Sequence, residues 1–557
     1  MFGLLRDKSM AGIFGAGHDS DSFLVAWTVP EMASTLLIED AMAFLMVPAF
    51  SRALARRTEW TGADHTTTPT RDPVRALVAA TLPRLAVLLA IMVTLLVLGA
   101  PLLVDTLAPG LPDPRDAVAC TRLTTLSVFT FGIAGYFSAA LRAHRSFVVP
   151  AAIYVSYNVG IIATMLALHA QWGVRAAATG VAIGGLLMVL VQLPVFLRRV
   201  GGPSPRPKPL PHSIRPKTGP GLVALRVIAP VVLFAVFRQS QVLVERFLTS
   251  PLPAGTISHL NFAQKVAQMP MVLSLTICTV TFPAVARSAA RGEREGVRRR
   301  VEQDLRIAAL IVLLGAALIV GYAPQIVQLC FEEGAFTHRD TLATASVMRV
   351  YAIGLLGHCF VGALSRPFFS VARPTWFPAL AMGVGLFVNI VAGALAVGWW
   401  GAHGIAAANA LGITTTAAML LRGLAVRIVA VRLRQIALAA GRLSVAAVAA
   451  GATGWVAGPT IPDPLTSAGL GCLLTPAVFG LTILALRALE QVVTRSRTSL
   501  RAEGCPTPSG LGSAPTSPEH PRRAVTLVFP PGEGSSMTTE RRLRPPRQSP
   551  TRKRECQ

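Results

Sequence analysis

Thirteen apolar runs, each long enough to cross a bilayer, follow one another along this chain with short connections between them. They lie near 22–50, 77–104, 117–141, 147–169, 174–197, 221–248, 256–286, 307–330, 341–365, 376–398, 403–425, 436–458 and 466–489. A spanning helix needs roughly 20 mostly apolar residues. Backbone groups in hydrocarbon must be paired within the segment, so such runs are read as helices. Composition agrees: 52% of residues are hydrophobic and 14% charged, with mean hydropathy +0.55, whereas soluble chains carry about 25% charged residues.

The net charge of +25 would suggest nucleic acid if it covered a folded face. It falls instead in short clusters between apolar runs, which excludes that class. One set of connections is rich in arginine: Arg52, Arg56 and Arg57; Arg142 and Arg145; Arg198, Arg199, Arg206 and Lys208; Arg287 through Arg300; Arg366 and Arg373; Arg422 through Arg434. The connections between them, such as VDTLAPGLPDPRD, HAQWGVR, FEEGAFTHRD, GWWGAH and GPTIPDP, are nearly free of it. This alternation is what the positive-inside rule produces. It holds throughout if fragment 1–17 is a further crossing, which gives fourteen segments with both termini cytoplasmic. The opening MFGLLRDKSMAGIFGAG has apolar residues on both sides of Arg6, Asp7 and Lys8, unlike a secretory signal, whose charges come first. It reads as a first helix short of its initial turns; the other reading is an amphipathic helix on the cytoplasmic surface.

The chain repeats itself. LRAHRSFVVPAAIYV with HAQWGVRAAA matches FSVARPTWFPALAMG with VGWWGAHGIAA, so that Arg145, Pro150, Trp172 and Gly173 correspond to Arg373, Pro378, Trp400 and Gly401. VPAFSRALARR from Val47 likewise matches FPAVARSAARG from Phe282. Copies of about six helices share one orientation, and transporters place the substrate path between such copies. The expected organisation is a first lobe over 1–200, a Pro- and Arg-rich cytoplasmic linker over 201–220, a second lobe over 221–425, two appended helices over 426–493, and a disordered cytoplasmic tail from Thr494 to Gln557. The linker's expected contact is with anionic headgroups.

No phosphate-binding Gly loop, HExxH or nucleophile elbow occurs in the sequence, and the seven cysteines show no metal or disulfide spacing. The expectation is a transporter, not an enzyme, with no cofactor or metal, driven through a monovalent cation or a proton. Ionisable residues inside apolar segments mark its path, because charge in hydrocarbon is costly and faces a cavity or a partner. They concentrate in the first hairpin (Arg6, Asp7, Lys8, Asp21, Glu31, Glu39, Asp40) and at the start of the second half (Arg226, Arg238, Glu245, Arg246, then Lys265). Neighbours such as Arg6 and Asp7, or Glu245 and Arg246, point about 100° apart on a helix, so each is expected to find its partner across helices or in water. Arginine and lysine in a cavity suit a pyrophosphate. Glu245, with Asn389 in mid-segment, is the expected coupling-ion pair.

FGLLRDKSMAGIFGAGHDSDSFLVAWTVPE resembles the opening of the MurJ/MviN lipid II flippases, and the likeness continues through VERFLTSPLPAGTISHLNFAQKVAQMP, FEEGAFTHRDT and RPTWFPALAMGVGLFVNI. It covers about 1–490. The resemblance implies an all-α membrane protein of fourteen helices in two parallel-repeat lobes, of the MOP superfamily, with helices 13 and 14 appended. It also implies export of lipid-linked peptidoglycan precursor by alternating access, with membrane lipids and cell-wall synthesis proteins as partners. By position, Arg6 matches a cavity arginine, Asp21 the acidic residue after FGAG and Glu39 a glutamate of the second helix; Lys265 stands where the family has arginine. These four are the expected substrate-cavity residues. Two paired arginines of the family are Ser34 and Thr35 here, and Asp40 replaces a glycine. Those departures keep open a MOP-type exporter of another lipid-linked sugar or an amphipathic cation, and a non-transporting scaffold for cell-wall assembly.

Overall fold

The computed structural model describes residues 2–62, 72–201, 222–276, 294–369, 375–427 and 431–503. Most of the expected linker, the arginines at 287 and 291, Arg373 and the chain beyond 503 lie outside these. Every element among the described residues is helical. In order they are α1 (Phe2–Phe14), α2 (His18–Ser34), a π-helical stretch (Thr35–Ala41), α3 (Met42–Gly62), α4 (Pro73–Leu98), α5 (Ala100–Leu107), α6 (Pro114–Ala143), α7 (Val148–Trp172), α8 (Arg175–Gly201) and α9 (Leu222–Thr249). There follow α10 (Thr256–Ala267), α11 (described over 269–276), α12 (Arg294–Phe331), α13 (His338–Phe369), α14 (Phe377–Arg427), α15 (Leu433–Ala457) and α16 (Pro464–Glu503). Nine of the described helices are long and apolar enough to cross a membrane.

Local chemistry sets the helix ends. Three Asp-Pro pairs open α4, α6 and α16. Asp72 accepts from the Val74 amide at 2.9 Å, Asp113 from Arg115 at 3.0 Å and Asp463 from Thr466 at 2.9 Å. Proline suits the first helical position because no amide is needed there, and the carboxylate satisfies one of the orphan donors behind it. At the other end of the repeat unit, Gly173 ends α7 with φ 51° and ψ −137°. Gly401 breaks α14 into two helices with φ 52° and ψ −129°. The two glycines matched in sequence therefore carry the same backbone turn.

Three boundaries differ from the sequence expectation. The run at 77–104 is interrupted at Gly99, where α4 ends and α5 starts with proline in its first turn. Helix α12 is already helical at Arg294, ahead of the apolar run that begins near 307, and in this polar turn Glu295 pairs with Arg298 at 2.6 Å and Arg299 at 3.1 Å, one turn further along the same helix. Helix α16 runs to Glu503, past Thr494, where the tail was expected to begin.

The helices bury three large apolar clusters whose placement matters for function. One joins both halves: Met10, Phe23 and Trp27 of the first hairpin and Ile161 of α7 share it with Phe262 of α10, Phe331 of α12 and Met348 of α13. It occupies the side of the arginine-poor connections. Toward the arginine-rich side the halves have separate cores, one around Phe50, Tyr136, Phe137 and Phe196, the other around Phe234, Leu305, Phe368 and Leu424. The two halves are thus packed together at one end and parted at the other.

Candidate functional site

Where the halves part, a cavity of about 270 Å³ opens between the α2–π junction and helices α9, α10, α11, α13 and α14; Glu31, Arg238, Glu245, Lys265, His358 and Asn409 are among its lining residues. Lys265 Nζ donates to Glu31 Oε1 at 2.6 Å, and both side chains are about a quarter exposed. The ammonium also lies 5.5 Å from the centre of the Trp27 ring. Arg6 covers the same indole with its guanidinium at 4.0 Å, and Trp27 Nε1 donates to Tyr157 Oη at 3.1 Å. One indole thus receives two cations, an attraction of roughly 0.5–2 kcal/mol each. Arg238 is exposed into the cavity, and among the described residues no carboxylate pairs with it.

The helix that brings Glu31 here is shaped by its proline. Pro30 has no amide for the Ala26 carbonyl one turn earlier, and that carbonyl instead accepts from Thr124 Oγ1 of α6 at 2.9 Å. Just beyond, Ser34 Oγ and Thr35 Oγ1 both donate back to the Glu31 carbonyl, at 3.0 and 3.3 Å. Hydroxyls bonded in this way compete with the helical ladder, and the chain widens into the π-helical stretch from Thr35. The positions where paired arginines were expected are therefore the hinge of a π-bulge.

On the arginine-poor side the halves are tied by a polar seam. Asp21, 4% exposed, accepts from the Gly255 amide at 2.7 Å, the Ser258 amide at 2.8 Å and Ser258 Oγ at 2.6 Å. The carboxylate of one half thus caps the N-terminus of α10 in the other. The FGAG and GAFT motifs meet close by. The Ala335 amide donates to the Gly12 carbonyl at 2.8 Å, Lys8 pairs with Glu333 at 3.1 Å, and the Gly110 amide donates to Ser250 Oγ at 3.2 Å. Gly15 (φ 65°) and Gly334 (φ 62°) are left-handed, and a Cβ on either would fall 2.7 Å from the Ala335 oxygen or 2.2 Å from the Gly12 oxygen. Only glycine lets these backbones approach so closely.

A model of the lipid II flippase MurJ family matches residues 10–461. The chain belongs to that family. A lipid II flippase MurJ from Burkholderia cenocepacia is 27% identical over 378 residues, 66% of this chain and 70% of the relative. A probable lipid II flippase MurJ from Haemophilus influenzae is 26% identical over 490 residues, 83% of this chain and 90% of the relative. In three dimensions the chain resembles a solved lipid II flippase MurJ in an inward closed conformation, with TM-score 0.68 and 17% identity over 88% of this chain and 97% of that one. It also resembles an inward-facing MATE transporter of the MOP superfamily, with TM-score 0.55 and 14% identity over 79% and 94%. The fold is that of the MOP superfamily, in a multi-pass membrane protein.

Within this MurJ-family framework the expected site residues separate. Lys265 lines the cavity. Arg6, 7% exposed, stands behind Trp27 rather than in the lining, and its partner is its own neighbour: Nη2 and Nε reach Asp7 Oδ1 at 2.6 and 3.0 Å. The expectation that adjacent charges need partners elsewhere fails here, because the long arginine side chain folds back over the backbone. Asp21 belongs to the seam. Glu39, within the π stretch, is exposed and accepts from Tyr154 Oη of α7 at 2.9 Å. Glu245 lines the cavity and accepts from Tyr351 Oη at 2.7 Å, with Arg246 3.8 Å away; Arg246 in turn donates to the Ile257 carbonyl at 3.3 Å. Asn389 is buried on α14 against Gly412, so the partner of Glu245 is Tyr351 instead. Arg226, Asp40 and Arg366 have side chains outside the described residues. Sequence reasoning noted Glu31 and Arg238 as charges in apolar runs but did not select them; it missed Trp27, Tyr157 and Tyr351, whose hydroxyl or indole groups carry no charge signal.

Proposed function

We infer that this chain is a lipid II flippase of the cytoplasmic membrane, which moves lipid-linked peptidoglycan precursor outward by alternating access for cell-wall synthesis. The observation that carries the reading is the charged cavity between the halves, where Lys265 and Arg238 stand beside Glu31 and Glu245 and Arg238 has no carboxylate partner among the described residues, with the far side sealed by the Asp21 seam. A pyrophosphate entering from the arginine-rich side meets an ammonium with donors to spare and a guanidinium able to grip two oxygens at once. By the positive-inside rule that side is cytoplasmic, with both chain ends there.

Five carboxylates among the described residues do not argue for a cationic substrate, because each already has a donor: Asp7 has Arg6, Glu31 has Lys265, Asp21 has the α10 amides, Glu39 has Tyr154 and Glu245 has Tyr351. Arg238 restores the positive charge that Ser34 and Thr35 withhold. Arg6 is a positioning residue that fixes Trp27 and, through it, the Lys265 ammonium. Glu245, linked to α13 through Tyr351, is the group to which we assign coupling to a proton or monovalent cation. Outward opening requires that the Asp21 seam break while the two separate cores come together.

The test uses the full chain in proteoliposomes loaded on one leaflet with fluorescent lipid II, and reads the label exposed to an impermeant quencher or enzyme. Translocation of lipid II with no movement of a phosphatidylcholine probe is the expected result. Movement of a lipophilic cation and none of lipid II would overturn the reading.

A further inference from the structure

A second cavity, of about 860 Å³, lies outside the substrate path on the outer face of the second half, between α12, α13 and α15. Its walls are aliphatic: Ala316, Val320, Ile353, Val448 and Val456 are among them, and Ile353, Val448 and Val456 are each more than 70% exposed. One charged residue stands in it, Arg349 of α13. Among the described residues no carboxylate pairs with Arg349.

The arginine is held rather than loose. Pro324 in α12 has no amide to give the Val320 carbonyl one turn before it, and Arg349 Nε donates to that carbonyl at 3.0 Å. The guanidinium carbon lies over the Trp455 ring, 3.7 Å from its centre. With Nε anchored and the guanidinium set over the indole, the two terminal amino groups remain to meet a ligand, in the fork geometry that matches a phosphate. Depth agrees with a headgroup position. Trp455 is in the last turn of α15, and His403, bonded to Ser346 at 3.0 Å, follows the Gly401 break; both border arginine-poor connections. Tryptophan at a helix end marks the membrane interface.

We propose that this groove is a binding site for an anionic glycerophospholipid of the leaflet on the arginine-poor side, its phosphate on Arg349 and an acyl chain along the aliphatic wall between α13 and α15. Charge selects the occupant: a zwitterionic lipid brings a cation of its own to the Arg349 and His403 region, whereas a phosphatidylglycerol-type headgroup does not. The site is distinct from the Lys265 cavity and does not rest on the flippase reading.

The test is native mass spectrometry of the purified full chain titrated with phosphatidylglycerol and, separately, with phosphatidylcholine. Arg349→Gln should weaken phosphatidylglycerol binding about tenfold or more, as expected when one charge-assisted bidentate contact is lost, and should leave phosphatidylcholine unchanged. Val448→Trp, which fills the groove while sparing Arg349, should weaken both lipids. Circular dichroism and the unfolding midpoint identify a variant that has merely lost its fold, in which case the other variant decides. Unchanged phosphatidylglycerol binding in either folded variant overturns the proposal. So does loss of lipid II binding with phosphatidylglycerol unaffected, which would make the groove part of the substrate path.

Discussion

Removing the Asp21 carboxylate should release the seam that closes the arginine-poor side. Three donors converge on it, two of them the backbone amides of Gly255, just before α10, and Ser258, in its first turn, and hydrogen bonds to a charged group contribute about 1.5–3 kcal/mol each. They are not additive, since water enters once the side chain is gone and the two freed amides then find partners. A net loss of about 3–4 kcal/mol is the expectation for Asp21→Ala, which changes the closed-to-open ratio by about 100- to 1,000-fold. Asp21→Asn should be nearly as damaging, because its amino group would face an amide donor. Ser258→Ala removes one of the three bonds and should cost about tenfold. Spin labels on cysteines at Asp19 and Arg339, both exposed on that side, report the separation of the halves in proteoliposomes. The parent should give one short distance, Asp21→Ala a second and longer one, and Ser258→Ala a mixture. A single short distance in Asp21→Ala, at parental expression and fold, would refute the idea that this carboxylate holds the seam.

Gly334→Ala should open the same side by a different route, because its Cβ would fall 2.2 Å from the Gly12 oxygen at a left-handed φ; the same spin-label pair reads it, and Gly3→Ala, in open space, is the control that should do nothing. Thr124→Val leaves the Ala26 carbonyl without the donor that Pro30 denies it, and should cost about 1–2 kcal/mol, read as a lower unfolding midpoint in detergent. Single cysteines at Arg56 and Pro112, both exposed, should differ toward an impermeant thiol reagent in intact cells, with only Pro112 reacting; equal labelling sinks the assigned orientation.

Sequence resolved the all-helical membrane character because hydrophobic length and end signals are local. The Asp-Pro starts at 72, 113 and 463 and the Trp-Gly turns at 172 and 400 each act within a few residues. The MurJ-family motifs were legible as strings, but not the fact that FGAG and GAFT touch, since that contact sets Gly15 against Ala335 across most of the chain. The cavity was half legible. Eight residues after Glu31, an unbroken α-helix would bring Glu39 within about 80° of the same face; here Glu39 lies within the π stretch and pairs with Tyr154. No hydrophobic period announces a π stretch, which here follows from two hydroxyls bonding back to one carbonyl. Arg6 was expected in the cavity lining; it lies behind Trp27 instead, a residue that reads in sequence as one more apolar side chain.

The central claim is that cations on the cavity wall grip an anionic lipid-linked substrate, and Lys265 tests it most directly. Lipid II translocation is measured in proteoliposomes for the parent, Lys265→Arg, Lys265→Met and the double variant Lys265→Met with Glu31→Gln. Lys265→Arg should transport, because it keeps the charge and the Glu31 partner. Lys265→Met should not, since it leaves Glu31 unpaired and repelling the substrate. The double variant separates the two effects: removing the uncompensated carboxylate restores a stable fold, yet transport should stay lost by about 100-fold, the worth of two charge-assisted hydrogen bonds. Parental transport by the double variant, at equal expression and insertion, would contradict the account.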